Sequence, residues 1–483
     1  MPDNTLIQNA LASVNAARDA LMAFLAPPAK KPLGMNLSGL SWYSSRQVFR
    51  NILQGGEWNV DWKVLGPDQI DAKGYPLDWS KSYKRLFSGP TGTWVRDTKV
   101  ILTWKGTGAV RVDGATNVVQ GDHSLTFTMP SQEGQVRNRW ISVYGVDPKD
   151  PIRDMVCVDA DPANATDHQF SREIVESCSK YSVLRFMDWN ATNASPVRTW
   201  ATRPNPLSLD NPGGAIENQF ALAKLADADV WFNHSWNDDA TYIAGAAKFA
   251  HDNLPAGRKV HVELSNEVWN GQFPVFNLAI NEGVALKLDG NKYYAGLLNY
   301  SRRAIEVMKV WKAAFADRPD DLVCVIGTQA ANTEVTRTVL RYPGAVDIFD
   351  EVASAPYFYH DQALPYTEAL LKAGVDQAIT WAKNTTAAVR AISPTIRHVT
   401  YEGGQHELVN AKQTVDQLST INRSPAMGAA YSDYITRLAP EVDLIVLFND
   451  VDPITKYGAW GHAEYGGQTD APKQLAVDKF LAA

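Results

Sequence analysis

The chain has 483 residues, enough for one large domain carrying a smaller insertion. Its 46 Lys and Arg against 53 Asp and Glu leave a formal net charge of −7, with no basic run or stripe, which argues against nucleic acid as a partner. No apolar run reaches membrane-spanning length, and Cys157, Cys178 and Cys324 match neither a disulfide framework nor a zinc site, so free thiols and no membrane span are expected.

Residues 1–32 read as an N-terminal helix. Ile7, Ala10, Val14, Ala17, Leu21 and Phe24 mark one apolar face, and Pro27-Pro28 ends it. Such a seam suits packing on the domain's own surface or a short coiled coil, the latter making a homo-oligomer contact. Interior Arg18 and Asp19 and the lack of a basic n-region do not fit a secretory leader, and nothing else in the sequence assigns a location. LGMNLSGLSWYS opens residues 33–55, read as a first strand and its loop. Residues 56–160 contain KVILTWKGTGAVRVDG, HSLTFTM and NRWISVYGV, alternating runs separated by Gly, Asp and Asn turns, which predict a small antiparallel β-domain of sandwich type.

From 161 to 483 the runs SVLRFMDW, ADVWFNHSW, KVHVELSNE, DLVCVIGTQ, EVASAPYFY, RHVTYEGG and VDLIVLFND alternate with helical patterns, and APKQLAVDKFLAA closes the chain as a last helix. Strict alternation implies parallel strands joined by crossover helices. With the strand at residue 33 the count reaches eight. The expected fold is therefore an α/β, (β/α)8 TIM barrel with the antiparallel β-domain inserted between the first and second barrel strands.

Reagents in such a barrel sit at the C-terminal ends of the strands. In KVHVEL, Val260, Val262 and Leu264 point one way, while His261, Glu263, Ser265 and then Glu267 share the opposite parity and should face the axis. In RHVTYEGG the same count puts His398, Thr400 and Glu402 towards the axis and Val399 and Tyr401 away from it. Two carboxyl groups across one mouth are equipment for acetal hydrolysis, one protonated and one ionised. A lone Glu after a strand is usually just solvated; two, with Asn266 before the first, favour catalysis.

SNEVWN ending the fourth strand and YEGGQH ending the seventh resemble the clan A glycoside hydrolases, a (β/α)8 superfamily that includes many cellulases, mannanases, xylanases and β-galactosidases. The resemblance spans 33–55 and 165–483. It implies a retaining mechanism on a carbohydrate substrate, with Glu267 as general acid/base, Glu402 as nucleophile and Asn266 bonding the sugar hydroxyl beside the anomeric carbon. It also implies that Arg185 in LRFMDW bonds the nucleophile and holds it ionised, that His234 in FNHSW lies at the sugar, and that Tyr357 or Tyr359 contacts the nucleophile.

The eighth-strand Trp of that clan is absent from LIVLFND, and Trp460 in the next loop is the candidate replacement. Trp269 is either an apolar wall beside Glu267 or core, and the Trp residues at 42, 189 and 236 are core or sugar platforms. His406 is counted with the sugar-contacting residues; His406 and Glu407 look like metal ligands only in isolation, because no second pair at ligand spacing accompanies them. No metal or organic cofactor is needed for the expected β-glycosidase chemistry, endo-acting by the aromatic residues near strand ends. The alternatives are a non-catalytic carbohydrate-binding barrel of a phage tail or surface assembly, and a metal-dependent barrel hydrolase.

Overall fold

Residues 30–132, 139–210, 214–360, 366–409 and 413–483 are described by a computed structural model. The helix expected over 1–32, with its seam from Ile7 to Phe24 and any oligomer contact through it, falls on residues outside that set apart from its last three positions. Pro32–Ala483 form one compact unit.

The first strand, β1, is Leu33–Asn36. The chain then forms β2 (Glu57–Val60), β3 (Lys63–Val64), β4 (Tyr83–Leu86), β5 (Thr98–Lys105) and β6 (Ala109–Asp113). It continues through β7 (Thr116–Gly121), β8 (Ser124–Met129), β9 (Trp140–Tyr144) and β10 (Arg153–Asp159). Next come β11 (Val183–Arg185), β12 (Asp229–His234), β13 (Val260–Leu264), β14 (Leu322–Gly327), β15 (Glu351–Ser354), β16 (Arg397–Thr400) and β17 (Ile445–Leu447), separated by helices.

β1 and β11 to β17 form one eight-stranded sheet in the order β17-β1-β11-β12-β13-β14-β15-β16, with each neighbouring pair parallel. Its strands are buried on both faces, as expected where crossover helices cover a parallel sheet. The two edges meet through a parallel bridge between Val399 and Leu444. A side chain completes the seam: the Thr400 hydroxyl accepts from the Val446 N–H at 2.8 Å and donates to the Val446 carbonyl at 3.1 Å. Asn36 reinforces the same seam, donating to the carbonyls of Tyr401 and Leu447 at 2.8 and 3.0 Å.

β2 to β10 lie between β1 and β11 in the chain and form two antiparallel sheets, β10-β5-β8-β7 and β3-β2-β4-β9-β6. β5 shows why: in TKVILTWK every second residue is buried, so Val100, Leu102 and Trp104 enter a core while Lys99, Thr103 and Lys105 stay in water. That core draws on both sheets, with Trp58, Tyr83, Ile141 and Val143 from one and Leu125, Phe127 and Cys157 from the other. It also reaches back to Ile52 and Leu53 and forward to Leu209. Arg85, fully buried, ties it to the loop after β11 by donating to the carbonyls of Leu53 and Leu209 at 3.0 and 2.6 Å.

Parity predicts β13 correctly and β16 in reverse. His261 meets Glu351 at 2.9 Å and Glu263 meets Arg185 at 2.8 Å, so the polar face of β13 lies inside the barrel. His398 instead touches Thr386, on the helix Glu368–Ile392, which puts it on the helix side of the sheet. Because β16 is only four residues long, an apolar count could not fix its face.

Replacing Thr400 by Val keeps the shape but leaves the buried Val446 N–H without an acceptor. Denaturant unfolding should show a loss of about 1–3 kcal/mol, the usual cost of stranding a buried donor.

Candidate active site

The loops that follow the barrel strands enclose a cavity of about 610 Å³. Its wall includes Ser38 and Tyr43 after β1, Asp188 and Asn193 after β11, Asn266, Glu267 and Asn270 after β13, Tyr357 after β15, Glu402 and His406 after β16, and Asn449, Asp452 and Trp460 after β17. Glu267 and Glu402 thus share one cavity although 135 positions separate them, since 402 − 267 = 135.

Arg185 organises its floor. The guanidinium is fully buried and spends all five N–H donors. Nε and Nη2 donate to Glu263 Oε2 at 3.2 and 2.8 Å, Nη2 to Asn266 Oδ1 at 3.0 Å, and Nη1 to Asn36 Oδ1 and Glu402 Oε1, both at 2.9 Å. Glu263 Oε2 is held further by Trp231 Nε1 at 2.9 Å and Asn233 Nδ2 at 2.7 Å.

Two residues around the Asn-Glu pair leave the pleat. Ser265 has φ +65° and Glu267 φ +45°, both in the left-handed region, at a cost of order 1–3 kcal/mol each. Strand parity therefore ends at Leu264, and this double turn, not alternation, delivers the Glu267 carboxyl to the cavity. It is anchored by Asn266, which accepts from Arg185 and donates to Asn193 Oδ1 at 3.0 Å. Half-buried Glu267 accepts from Tyr401 Oη and Asn270 Nδ2, each at 2.8 Å.

Glu402 is 5% exposed and accepts from Arg185 on Oε1 and from Tyr357 Oη on Oε2, the latter at 2.9 Å. Burial pushes its carboxyl up to about 8; Arg185 pulls it down, while the charge of Glu267 pushes it up again. Arg185 thus acts on Glu402 in the expected direction, favouring the ionised form, but burial opposes it more strongly. One cation is shared with buried Glu263, which takes two of its five donors. Behind Glu402, Gly403 and Gly404 are required by close packing. A β-carbon on Gly403 would stand 2.4 Å from Tyr434 Oη, and Gly404, at φ +121°, would place one 2.6 Å from Tyr431 Oη.

Of the tyrosine pair, Tyr357 bonds Glu402, while Tyr359 is 42% exposed and packs on Trp381 and His406 at centroid distances of 6.0 and 6.2 Å. Phe358, bridged to Gln405 and fully buried, fixes that choice. Tyr401 was expected on the helix side, yet its ring faces the Arg185 guanidinium at 5.1 Å and its hydroxyl reaches Glu267.

His234 is a second correction. It is fully buried, with Nδ1 on Asp238 at 2.8 Å and Nε2 accepting from Trp311 Nε1 at 2.9 Å, so neither ring nitrogen is left for a sugar. Trp269 is a third: 7% exposed, it packs behind Tyr401 at 6.3 Å and over Gly327, off the cavity wall. Trp189 and Trp236 are wholly buried as well. Trp460 does line the cavity. Its ring lies 6.3 Å from Phe448 and its indole N–H donates to His406 Nδ1 at 3.1 Å, and burial holds His406 below the ordinary histidine range. Glu407 turns away from the cavity and pairs with His360. No group of three or more His, Cys, Asp or Glu placed to hold a metal occurs among the described residues, and none of the helices described is long and apolar enough to cross a membrane.

Sequence reasoning passed over Glu263 as the second carboxylate on Arg185 and Tyr401 as a partner of Glu267, and Asn193, Asn270, Asp188 and Asp452 altogether. Tyr401 and Asn270 carried a signal, since each lies within three positions of a candidate glutamate.

No protein-family model matches this chain, and no curated protein matches it. Solved structures similar to it include a family 51 arabinofuranosidase from Xanthomonas axonopodis pv. citri, at 13% identity and TM-score 0.41 over 62% of this chain and 63% of that one. A glucosidase from Croceicoccus marinus is 13% identical at TM-score 0.39, covering 63% of each chain. A family 1 β-glucosidase from Thermotoga maritima is 13% identical at TM-score 0.34, covering 64% of this chain and 85% of that one. This chain thus spans less than two thirds of the length of the first two.

The raised Glu402 carboxyl makes stability depend on pH. It is neutral in both states below its ordinary value of 4.5, and between there and about 8 the folded protein holds a proton that the unfolded chain releases. Its contribution is therefore present at low pH and lost as pH rises through about 8. Unfolding free energies measured from pH 5 to 9 should fall more steeply for the wild type than for Glu402→Gln. Parallel curves would show that Glu402 is not the titrating group.

Proposed function

We propose that this chain is a retaining glycoside hydrolase of clan A type, built on a (β/α)8 barrel into which the β-region is inserted after the first strand. The observation that carries the reading is the shared cavity of Glu267 and Glu402 at the C-terminal ends of the fourth and seventh strands, with Arg185 and Tyr357 on Glu402 and Tyr401 on Glu267. Substrates are β-linked polysaccharides or oligosaccharides, and the open cavity suits endo action on a chain.

The chemistry is double displacement. Glu402 attacks the anomeric carbon while Glu267 gives its proton to the departing glycosidic oxygen. Glu267 then takes a proton from a water molecule, whose oxygen bonds the anomeric carbon and releases Glu402. Arg185 and Tyr357 fix the Glu402 carboxylate by one donor on each oxygen, leaving the remaining lone pairs for attack. Asn266, turned to the cavity by its left-handed neighbours, is placed to bond the hydroxyl beside the anomeric carbon.

A second reading has one observation behind it. A carboxyl held near 8 suits a proton donor, which would make Glu402 the acid and Glu267 the nucleophile. A mechanism-based 2-deoxy-2-fluoro glycoside, followed by peptide mapping, separates the two: label on Glu402 supports the first assignment and label on Glu267 the second.

Glu402→Gln should abolish turnover while the protein stays folded, as read by circular dichroism and hydrolysis of a polysaccharide panel. Glu267→Gln should lose about 10²–10⁴-fold on natural glycosides but much less on aryl glycosides whose phenol leaves without a proton. Normal hydrolysis by either variant on natural substrate would sink the assignment.

Kinetics provide a further check. If attack needs ionised Glu402, kcat/KM on an aryl glycoside should rise with pH towards about 8. Glu267→Gln, which removes a like charge, should shift that limb to lower pH.

A further inference from the structure

Trp460 and His406 meet on the cavity wall, and their contact fixes more than position. The Trp460 indole donates to His406 Nδ1 at 3.1 Å. An indole nitrogen can only donate, so Nδ1 has to offer a lone pair, and a neutral imidazole that accepts on one nitrogen carries its proton on the other. His406 is therefore the Nε2–H tautomer. A second proton on Nδ1 would break the indole bond, and burial opposes the charged ring as well.

Both residues are held so that this arrangement persists. The backbone N–H of His406 donates to the Phe358 carbonyl at 2.9 Å, and the imidazole lies against the rings of Tyr357 at 5.2 Å and Trp460 at 5.6 Å. Gln405, beside it, donates through its side chain to the carbonyl of Ala459, which precedes Trp460, and so ties the two segments together. Gly458 leaves no room for a β-carbon against the Trp460 ring. The remaining ring nitrogen, Nε2, is not tied down in this way. It has no partner among the described residues, yet it is not among the polar atoms sealed from solvent, and it belongs to a half-buried side chain of the cavity wall. A donor fixed by its surroundings, left without an acceptor and open to the cavity, is placed to meet an acceptor that arrives with a ligand. Tyr357, against which His406 packs, bonds Glu402, so this donor stands next to the catalytic pair.

We propose that Trp460 locks His406 as an Nε2–H donor to a hydroxyl oxygen of the sugar bound against Glu402, which makes His406 a specificity-determining residue and Trp460 a positioning one. This rests on the glycosidase reading of the same cavity. A sugar that lacks the hydroxyl leaves the N–H without its partner, and a ring free to carry its proton on Nδ1 would offer a lone pair where the sugar needs a donor.

Two measurements test it. Nitrogen NMR of protein labelled in its histidine rings, with His406→Gln to assign the signal, should show His406 protonated at Nε2 and unprotonated at Nδ1 at neutral pH. Trp460→Phe, which keeps a ring but removes the indole N–H, should lose that preference. In parallel, kcat/KM is measured on nitrophenyl β-glycosides of glucose, mannose, galactose and xylose, and on the monodeoxy forms of the one cleaved fastest. At one ring position, loss of the hydroxyl should cost the wild type about tenfold, equivalent to about 1.4 kcal/mol, and should cost His406→Ala little. Trp460→Phe should show a reduced penalty at the same position, and His406→Gln, whose amide N–H reaches the place of Nε2, should restore part of it. Circular dichroism confirms that each variant is folded; where His406→Ala is not, His406→Phe, a ring without a donor, takes its place.

The opposite tautomer, or a doubly protonated ring, in the wild type would overturn the lock. Deoxy penalties equal in the wild type and His406→Ala at every position would overturn the donor role, and continued hydrolysis in that case leaves the glycosidase reading standing. Absence of hydrolysis of every glycoside and of the polysaccharide panel by folded wild type would overturn that reading, and the donor role with it.

Discussion

A guanidinium cannot be left in a barrel interior unless each of its N–H groups finds an acceptor, and Arg185 meets that constraint through residues of several strands at once. Its partners stand on or just beyond β1, β13 and β16, while the ring of Tyr401 covers one side at 5.1 Å and that of Trp231 lies at 5.6 Å. The same five bonds therefore set the relative positions of Asn36, Glu263, Asn266 and Glu402. Asn36 carries the restraint onward to the β16–β17 seam, where it joins the bridge, the Thr400 hydroxyl and the backbone bonds from Asp443 to His398 and from Phe448 to Gly403. Breaking this network by removing the cation would strand two buried carboxylates, so architecture and site stand or fall together.

The price of that arrangement is a surplus of negative charge. Arg185 faces Glu263 and Glu402, with Glu267 close enough to raise Glu402 and Asp188 close enough to add to it. Burial of Glu402 outweighs the pull of the shared cation and raises its carboxyl. Such crowding is what a proton-transfer site needs, since it separates groups of one chemical type by their affinity for a proton. Arg46 shows how a neighbouring acid is silenced: Asp450 is paired with it and withdrawn from the cavity.

The β-region contributes differently. Its two sheets enclose their own core, yet Arg85 and Leu209 bind it to the loop after β11, the loop that carries Asn193 to Asn266. One edge of the cavity is thereby braced from outside the barrel. The bracing is polar, through backbone carbonyls, so a buried arginine again does the tying.

Alternation of β-branched runs with helical stretches was enough to read eight parallel strands and the reversal to antiparallel patterning over residues 56–160, because side-chain period is local. The same locality exposed Glu267 and Glu402 as strand-end carboxylates, while the clan resemblance supplied Arg185 and either Tyr357 or Tyr359 as candidates to hold one of them. What it did not expose was direction. Left-handed Ser265 and Glu267 break the pleat that parity assumes, four-residue β16 presents the opposite face, and His234 and Trp269 are claimed by Asp238, Trp311 and Tyr401 from distant segments. The sequence by itself determined which residue types stand at which strand ends. Only the tertiary structure decided which of them meet, because burial, the sharing of one cation among several carboxylates and the satisfaction of each buried donor are properties of surroundings assembled from the whole chain.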